Sequence, residues 1–239
     1  MKSILIATTR LWDIKNAQKF CDRIPDVSTK VITQPQDLTV SLLQEIRPEY
    51  IFFPHWSWLI PSDIWRNHRC VVFHMTDLPY GRGGSPLQNL VSQGIEETQI
   101  SAIAVAEELD SGDIYIKMPL SLYGGAEEIY MRASEIIFDK MIPTILTDKP
   151  QPQPQSGEVV TFSRRTPGMS ELSSEMTVKQ LFDHIRMLDA EGYPKAFVRF
   201  GEYTFRFLRP KLSVNGILAD AEIVLESSEI SDRRCYNAK

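Results

Sequence analysis

The sequence is poor in cysteine, has no long hydrophobic run and carries no excess of positive charge. Its cysteines, Cys21, Cys70 and Cys235, are odd in number and widely separated, and no CxxC pair is present. This pattern argues against a disulfide framework and against a metal site. No apolar run approaches the ~20 residues that cross a bilayer, and the N-terminal apolar segment is too short for a signal peptide. We therefore expect a cytoplasmic protein that has no membrane partner and binds no metal.

Charge, length and one missing motif limit the function classes further. The net charge of −5 gives no overall basic surface for a phosphate backbone, so a large nucleic acid is a poor candidate partner. A chain of 239 residues with 43% hydrophobic residues can form one sizeable core and a small second unit. No GxGxxG motif follows the first apolar run, which argues against a conventional dinucleotide site.

Strand and helix patterns alternate along the first half of the chain. KSILIA, KVIT and YIFF are short, continuous apolar runs, and helical patterns lie around Phe20 and over residues 38–46. Continuous runs are typical of strands in a parallel sheet that is covered on both faces. Strand, helix and strand in this order are what a right-handed βαβ unit requires. We predict an α/β fold with a Rossmann-like core and a mainly parallel sheet.

The remaining patterns predict the domain organisation. The predicted elements after residue 98 are a strand over 99–109, an antiparallel strand over 114–122, a long amphipathic helix over 126–146, a helix over 177–189 and an alternating strand over 197–212. The long helix closes a first domain of residues 1–148. Residues 149–158, rich in proline and glutamine, are predicted to be an extended linker. Residues 159–239 are predicted to form a small α+β unit.

Two ionisable side chains follow predicted strands. His74 comes at the end of the apolar run from Cys70 to Phe73, and Asp110 follows a second β-branched run, in a glycine turn. An ionisable side chain where a strand meets a loop is typical of active sites in α/β proteins. Each residue also has a simpler interpretation, a satisfied histidine at a strand end and an aspartate that caps a turn. We expect both strands to end at the same edge of the sheet, which would bring the two side chains into one site.

The sequences around these residues, VFHMTDLPYGRGGSP and AEELDSGDI, resemble the 10-formyltetrahydrofolate-dependent formyltransferases. The first signature of that family reads Asn-x-His, then Ser-Leu-Leu-Pro and a short Arg-Gly loop, and the second ends in Leu-Asp-x-Gly. The resemblance covers about residues 1–210 and implies a formyltransferase whose co-substrate is 10-formyltetrahydrofolate, with residues 1–148 as the catalytic domain. It implies that a protonated His74 stabilises the oxyanion, while Asp110 helps to remove the proton of the attacking amine.

The segment PHWSWLIPSDIW, directly after YIFF, contains three tryptophans and two prolines. The simpler interpretation is that these rings cover one end of the sheet. In the resembling family the corresponding loop lines the folate slot, and a flat aromatic cofactor suits such a wall. The folate-binding residues that the resemblance implies are Trp56, Ser57, Trp58, Ile60, Arg82, Gly83, Val105, Ala106 and Glu107.

The sequence departs from the family pattern at Val72. The family has its catalytic asparagine at this position, two residues before the histidine, and valine cannot donate a hydrogen bond. His55 follows YIFF, and in a parallel sheet the end of that strand should lie beside the end that carries His74. We therefore predict that His55 is catalytic and supplies the missing donor. The simpler interpretation is a ring that packs among tryptophans.

Activities from other classes stay open as alternatives. A formyltetrahydrofolate hydrolase would use water in place of the amine. Such enzymes usually carry an additional domain, and no such domain precedes Met1. A non-catalytic folate or nucleotide-sugar binding protein is favoured by the missing asparagine. The retained His74, Asp110 and RGGSP loop argue against it.

The acceptor is the harder question. A methionyl-tRNA formyltransferase-like enzyme stays an alternative, although such an enzyme needs a substantial basic C-terminal domain to hold tRNA. A glycinamide ribonucleotide formyltransferase usually ends soon after the long helix. A nucleotide-linked amino sugar fits the length best. The first signature looks most like the branch associated with pseudaminic acid biosynthesis, which implies a UDP-linked 4-amino-4,6-dideoxy sugar as acceptor. A homodimer is a further expectation.

Overall fold

The computed structural model describes residues 2–225, and its first half is a parallel sheet with its connecting helices. In chain order the elements are β1 (Lys2–Ala7), α1 (Leu11–Arg23), β2 (Val27–Ile32), α2 (Val40–Ile46), β3 (Tyr50–Phe53), α3 (Ser62–Trp65) and β4 (Cys70–His74). Strands β2, β1, β3 and β4 lie side by side in that order, and each neighbouring pair is parallel. The carboxyl ends of β1, β3 and β4 therefore lie at one edge of the sheet.

Both faces of this sheet are buried at its central strands, β1 and β3. Along β1, Ile4 and Ile6 belong to a core on one face, whereas Leu5 and Ala7 belong to a second core on the other face. Because consecutive side chains of a strand point to opposite faces, a strand that is covered on both sides must be apolar throughout. This arrangement confirms the predicted α/β core and explains its continuous apolar runs.

The sheet is completed by two antiparallel strands. The next elements are β5 (Tyr80–Gly83), α4 (Pro86–Ser92), β6 (Glu97–Ala104) and β7 (Ile114–Ser121). Strand β6 pairs antiparallel with β4, with Val71 opposite Ala104 and His74 opposite Ser101. The end of β6 thus lies beside the beginning of β4. The expectation that the strands before Asp110 and His74 end at the same edge was wrong, and β6 also ends five residues earlier than expected.

The long helix predicted over residues 126–146 is present in three consecutive helical stretches. These are α5 (Ala126–Ile136), a π-helical turn (Ile137–Met141) and α6 (Ile142–Asp148). Pro143 lies in the first turn of α6, and the N–H of Ile142 donates to Ile137 O, five residues back. Proline has no N–H and its ring clashes with the preceding turn, so a wider turn before it lets the helix continue.

A small α+β unit follows, as predicted. It consists of β8 (Val160–Phe162), α7 (Val178–Arg186), β9 (Ala196–Phe200), β10 (Tyr203–Ser213) and β11 (Gly216–Leu225). Strands β9, β10 and β11 form an antiparallel sheet, whereas β8 pairs with β5. The single alternating strand predicted over residues 197–212 is in fact two strands, because the chain turns at Gly201, which has a φ of 60°. Cys235 lies outside the described residues.

Polar contacts hold α7 and the turn after it against the first unit. Arg186 is buried, donates to the main-chain oxygens of Leu122 and Gly124, and pairs with Asp183 at 2.6 Å. Gln88 donates to Met187 O at 3.1 Å. The division of the chain at residues 148 and 158 stays a prediction. Within residues 2–225, no helix is both long and apolar enough to cross a membrane.

Candidate active site

His74 occupies the last position of β4, and its side chain is buried. Its Nε2 atom lies 2.7 Å from Gly81 O. Because a carbonyl oxygen can only accept, Nε2 carries the proton of this hydrogen bond. Gly81 has a φ of 78°, and a Cβ atom there would lie 2.7 Å from the ring of Phe162. Only glycine fits this turn, which presents its carbonyl oxygen to His74.

Asp110 lies beside the other nitrogen of His74. Its Oδ2 atom is 3.5 Å from His74 Nδ1 and accepts a hydrogen bond from the N–H of Gly83 at 2.9 Å. The loop of residues 105–113 brings Asp110 back from the end of β6. Asp110 has a left-handed φ of 55°, a conformation that aspartate tolerates better than most residues do. The structure thus brings His74, Gly83 and Asp110 together, although by a different route along the chain from the one expected.

This pair of side chains can hold and move a proton. The two side chains are 9% and 11% exposed, so little water separates them. A ring protonated at both nitrogens would donate to Gly81 O and to the Asp110 carboxylate at the same time. A carboxylate that lies beside an imidazole and accepts a main-chain N–H is an arrangement suited to general acid–base chemistry.

The two loops that are predicted to line the folate slot both pack against the second core of the sheet. Trp56 and Ile60 from one loop, and Val105 from the other, all pack against that core. Val72 packs there as well, so the position of the family asparagine is occupied by apolar packing. Trp58 meets Trp56 edge-on, with 5.1 Å between the ring centroids.

The other predicted folate-binding residues differ in their surroundings. Ser57 is exposed and Ala106 is half-buried. Glu107 is exposed and reaches Arg66 at 3.7 Å, so its carboxylate is engaged away from His74. The guanidinium group of Arg82 donates to Gln155, a residue of the predicted linker that was not among the expected site residues.

His55 belongs to a different cluster. Its Nδ1 atom lies 2.8 Å from Oδ2 of the fully buried Asp13, and its ring meets Tyr130 and Trp12 edge-on. In the described part of the chain, His55 has no hydrogen bond or ring contact with His74 or Asp110. The structure therefore places His55 with α1 and α5, at the ends of β1 and β3, and sequence reasoning missed Asp13.

Several polar atoms in the segments that follow β1 and β3 are buried without a hydrogen-bond partner among residues 2–225. They are Thr8 Oγ1, Trp12 Nε1, Asp13 Oδ1, His55 Nε2 and Trp56 Nε1. A separate open cavity of about 440 Å³, lined by residues such as Asp77, Tyr80 and Glu97, includes neither catalytic candidate. No group of three or more His, Cys, Asp or Glu side chains in the described range could hold a metal ion.

Comparison with known proteins extends these observations. A sequence model described as "Formyl transferase" matches residues 15–133, and one described as "Methionyl-tRNA formyltransferase, C-terminal domain" matches residues 167–224. A solved structure described as methionyl-tRNA formyltransferase from Clostridium thermocellum is 53% identical, with a TM-score of 0.93 over 94% of this chain and 100% of that chain. The chain belongs to the formyl transferase family.

Two less similar proteins match over different shares of their own length. The methionyl-tRNA formyltransferase of Bacillus cytotoxicus is 27% identical over 152 residues, which are 60% of this chain and 48% of that protein. The chain thus spans about half the length of the curated relatives that it matches. A sugar N-formyltransferase from Shewanella is 15% identical with a TM-score of 0.65 over 96% of this chain and 99% of that chain. At this identity, the likeness shows the fold alone.

Proposed function

We propose that this protein transfers a formyl group from 10-formyltetrahydrofolate to a primary amine. The observation that supports this most directly is the His74–Asp110 pair, 3.5 Å apart and bound to the glycine loop, in a member of the formyl transferase family. Formyl transfer needs a group that stabilises an oxyanion and a group that moves a proton. Histidine and a carboxylate provide both.

The proposed reaction forms one C–N bond and breaks another. The nitrogen of the amine attacks the formyl carbon, and negative charge develops on the formyl oxygen. A protonated His74, whose two N–H groups face Gly81 O and Asp110, stabilises that oxygen through its positive charge. Asp110 takes the proton that leaves the amine, directly or through water. The bond between the formyl carbon and folate N10 then breaks, and a proton reaches N10, so tetrahydrofolate and the formamide are released.

The folate is proposed to lie along the wall formed by the two loops that follow β3 and β6. Trp56, Ile60 and Val105 give this wall its apolar surface. Flat aromatic ligands bind apolar walls with a few polar groups at the edge, and the main chain at the exposed Ser57 and the half-buried Ala106 is proposed to supply those groups. Trp58, Arg82, Gly83 and Glu107 stay proposed folate contacts.

Methionyl-tRNA is the first acceptor that we propose to test. Support comes from the C-terminal family match over residues 167–224 and from the 53% identical relative that is described as a methionyl-tRNA formyltransferase. The amine of the methionyl group would then be the nucleophile.

A nucleotide-linked amino sugar is the second candidate, in particular a UDP-linked 4-amino-4,6-dideoxy sugar. Residues 159–225 contain nine Lys and Arg against eight Asp and Glu, which is not the charge excess that a phosphate backbone favours. Two of the basic side chains, Arg199 and Arg209, are paired with Glu171 and Asp220. A small acceptor needs no such excess. A cytoplasmic location and a homodimer stay predictions.

One experiment tests the activity and separates the acceptors. The purified protein is incubated with 10-formyltetrahydrofolate and, in parallel, with methionyl-tRNA, UDP- and dTDP-linked amino sugars, or no amine, and products are identified by the mass of one added formyl group. We expect a formylated product in one amine reaction and none without amine. Release of formate at the same rate in every reaction would instead indicate a hydrolase, and absence of both products would contradict the proposal.

A further inference from the structure

The carboxamide of Gln155 uses all of its hydrogen-bonding capacity beside the candidate active site. Its Oε1 atom accepts from Arg82 Nε at 3.0 Å and from Arg82 Nη2 at 2.8 Å. Its Nε2 atom donates to the main-chain oxygens of Asp110 and Gly112, both at 2.8 Å. A neutral amide has two donor hydrogens and two acceptor lone pairs, so all four positions are satisfied. A side chain of the predicted linker thus joins strand β5 to the loop of residues 105–113.

The loop that Gln155 binds is under backbone constraint. Asp110 has a left-handed φ of 55°, which persists in a non-glycine residue when the surrounding contacts hold it. A Cβ atom at Gly112 would lie 1.7 Å from Ala104 O, so the end of β6 presses on the loop from one side. Gln155 binds the carbonyl oxygens on either side of Ser111. Loss of these two donors would free the backbone on which the Asp110 carboxylate depends.

The segment that carries Gln155 is itself anchored on both sides of this residue. Before it, Gln153 exchanges two main-chain hydrogen bonds with Ile114, at 2.8 and 2.9 Å. After it, the N–H of Val160 donates to Pro79 O at 3.3 Å, and Phe162 O accepts from the N–H of Gly84 at 3.2 Å. An amide that is held on rigid chain at both ends can position its partners, because its own location varies little.

We propose that Gln155 is a positioning residue for formyl transfer, which fixes the Asp110 carboxylate against His74 by holding the main chain at Asp110 and Gly112. This role deepens the proposed function and rests on it. Gln155 does not itself touch the reacting atoms. Its effect is expected on the chemical step rather than on folate binding, since a small displacement of a reacting group lowers a rate strongly.

The first test compares three variants of the full chain. Gln155→Glu keeps an acceptor for Arg82 but removes both N–H donors, and Gln155→Ala removes all four hydrogen bonds. Gln153→Ala is the matched control, because its side chain only donates to Gln151 O and is exposed. We expect kcat to fall ~10-fold or more in both Gln155 variants, with KM for the folate within ~2-fold of the parent and Gln153→Ala unchanged. Parental kcat in Gln155→Glu would overturn the proposal.

A double variant distinguishes positioning from a general structural role. If Gln155 acts through the Asp110 carboxylate, Gln155→Glu should have no further effect on kcat in an Asp110→Asn background. Losses that multiply would show that Gln155 acts elsewhere, and would overturn the proposal.

An activity-independent measurement keeps the test separate from the proposed function. The N–H of Gly83 donates to Asp110 Oδ2, so its hydrogen exchange reports whether the carboxylate is in place. We expect this amide to exchange at least ~10-fold faster in Gln155→Glu than in the parent or in Gln153→Ala. Equal exchange would overturn the positioning role. A parent that transfers no formyl group, but shows this difference, would overturn only the proposed function.

Discussion

The Asp110 carboxylate lies 3.5 Å from His74 Nδ1 although the strands that precede the two residues run in opposite directions. The loop of residues 105–113 closes this distance, and the N–H of Gly83 fixes the carboxylate at its other side. The site is therefore built from the end of β4, strand β5 and the loop of residues 105–113 rather than from two strand ends. His74 and Asp110 are the two ionisable side chains at its centre, and the first prediction concerns them.

Loss of either member of the pair should stop most of the chemistry. We expect His74→Ala and Asp110→Asn each to lower kcat for formyl transfer by at least ~100-fold, because loss of an oxyanion or proton-transfer group has effects of that size. The rates are measured with saturating folate and acceptor. The Asn variant should stay close to parental stability, since its side-chain oxygen can still accept from Gly83.

The matched controls are His68→Ala and Asp113→Asn. Asp113 is an exposed aspartate in the same loop as Asp110, and His68 precedes β4. Both controls should retain parental kcat. Full activity of a folded His74→Ala or Asp110→Asn variant would remove that residue from the mechanism.

The sequence predicted those strands and site residues that can be recognised from their neighbours in the chain. β1, β3 and β4 were found because a strand buried on both faces is apolar at every position, and His74 and Asp110 were found because each lies in a family signature. The direction of β6 could not be predicted in this way, because β6 is buried on both faces at its centre, as the parallel strands are, although it pairs antiparallel with β4. The turn at Gly201 had a usable signal, a glycine between two alternating runs.

The residues that the sequence did not predict are those whose contacts lie far away along the chain. Asp13 lies in the first turn of α1, where an aspartate is usually exposed, and only the fold brings His55 to it. Gln155 lies in a segment whose composition is typical of extended linkers, and its four hydrogen bonds join residues 43 to 73 positions away in sequence. No local pattern contains such contacts.

A folate analogue should bind the wall formed by the loops after β3 and β6. We expect saturating analogue to quench tryptophan fluorescence and raise Tm, since a ligand at ~100 times its Kd stabilises the folded state by about 2.7 kcal/mol. Trp58→Phe should lose a large part of the quenching, whereas Trp65→Phe, in α3, should retain most of it. An unchanged Tm in excess analogue would show that the analogue does not bind the folded protein, and would contradict this prediction.

Restoring the family asparagine at Val72 should have opposite effects on rate and stability. Val72 packs against the second core with Trp56 and Val105, so an amide there lowers the free energy of unfolding by about 1 to 3 kcal/mol. A donor aimed at the oxyanion contributes roughly 3 kcal/mol to catalysis. We expect Val72→Asn to lower Tm and raise kcat, whereas the isosteric Val72→Thr should lower Tm without raising kcat. A lower Tm with unchanged kcat in Val72→Asn would show that this side chain does not reach the oxyanion.

His184 should make stability depend on pH. Burial, and to a lesser degree the charge of Arg165, lowers the pKa of His184 below its usual value, and its Nε2 atom is buried without a partner in the described range. As pH falls through the unfolded pKa of about 6.5, the unfolded chain takes up a proton first, so the free energy of unfolding decreases. We expect His184→Gln to lose less stability than the parent between about pH 7 and pH 5 by urea titration. Equal losses would contradict this, and His68→Gln serves as control.

The last prediction concerns His55, for which the sequence suggested a catalytic role and the structure shows a buried partner. Asp13 is 0% exposed, and its Oδ2 atom lies 2.8 Å from His55 Nδ1, while Oδ1 has no partner among residues 2–225. Removal of the ring leaves a buried carboxylate unpaired, which typically costs about 3 to 5 kcal/mol. We therefore expect His55→Ala to lower Tm strongly.

The rate of this variant must be measured well below its Tm, so that loss of folded protein is not mistaken for loss of catalysis. A double-mutant cycle separates the two effects. Asp13→Ala should be destabilised as well, and His55→Ala with Asp13→Ala should be less destabilised than the sum of the single variants, because no unpaired carboxylate remains. If kcat of folded His55→Ala equals that of the parent, His55 serves stability through Asp13 and is not the donor that replaces the asparagine. A drop in kcat with unchanged KM for folate would instead support a bond made mainly in the transition state.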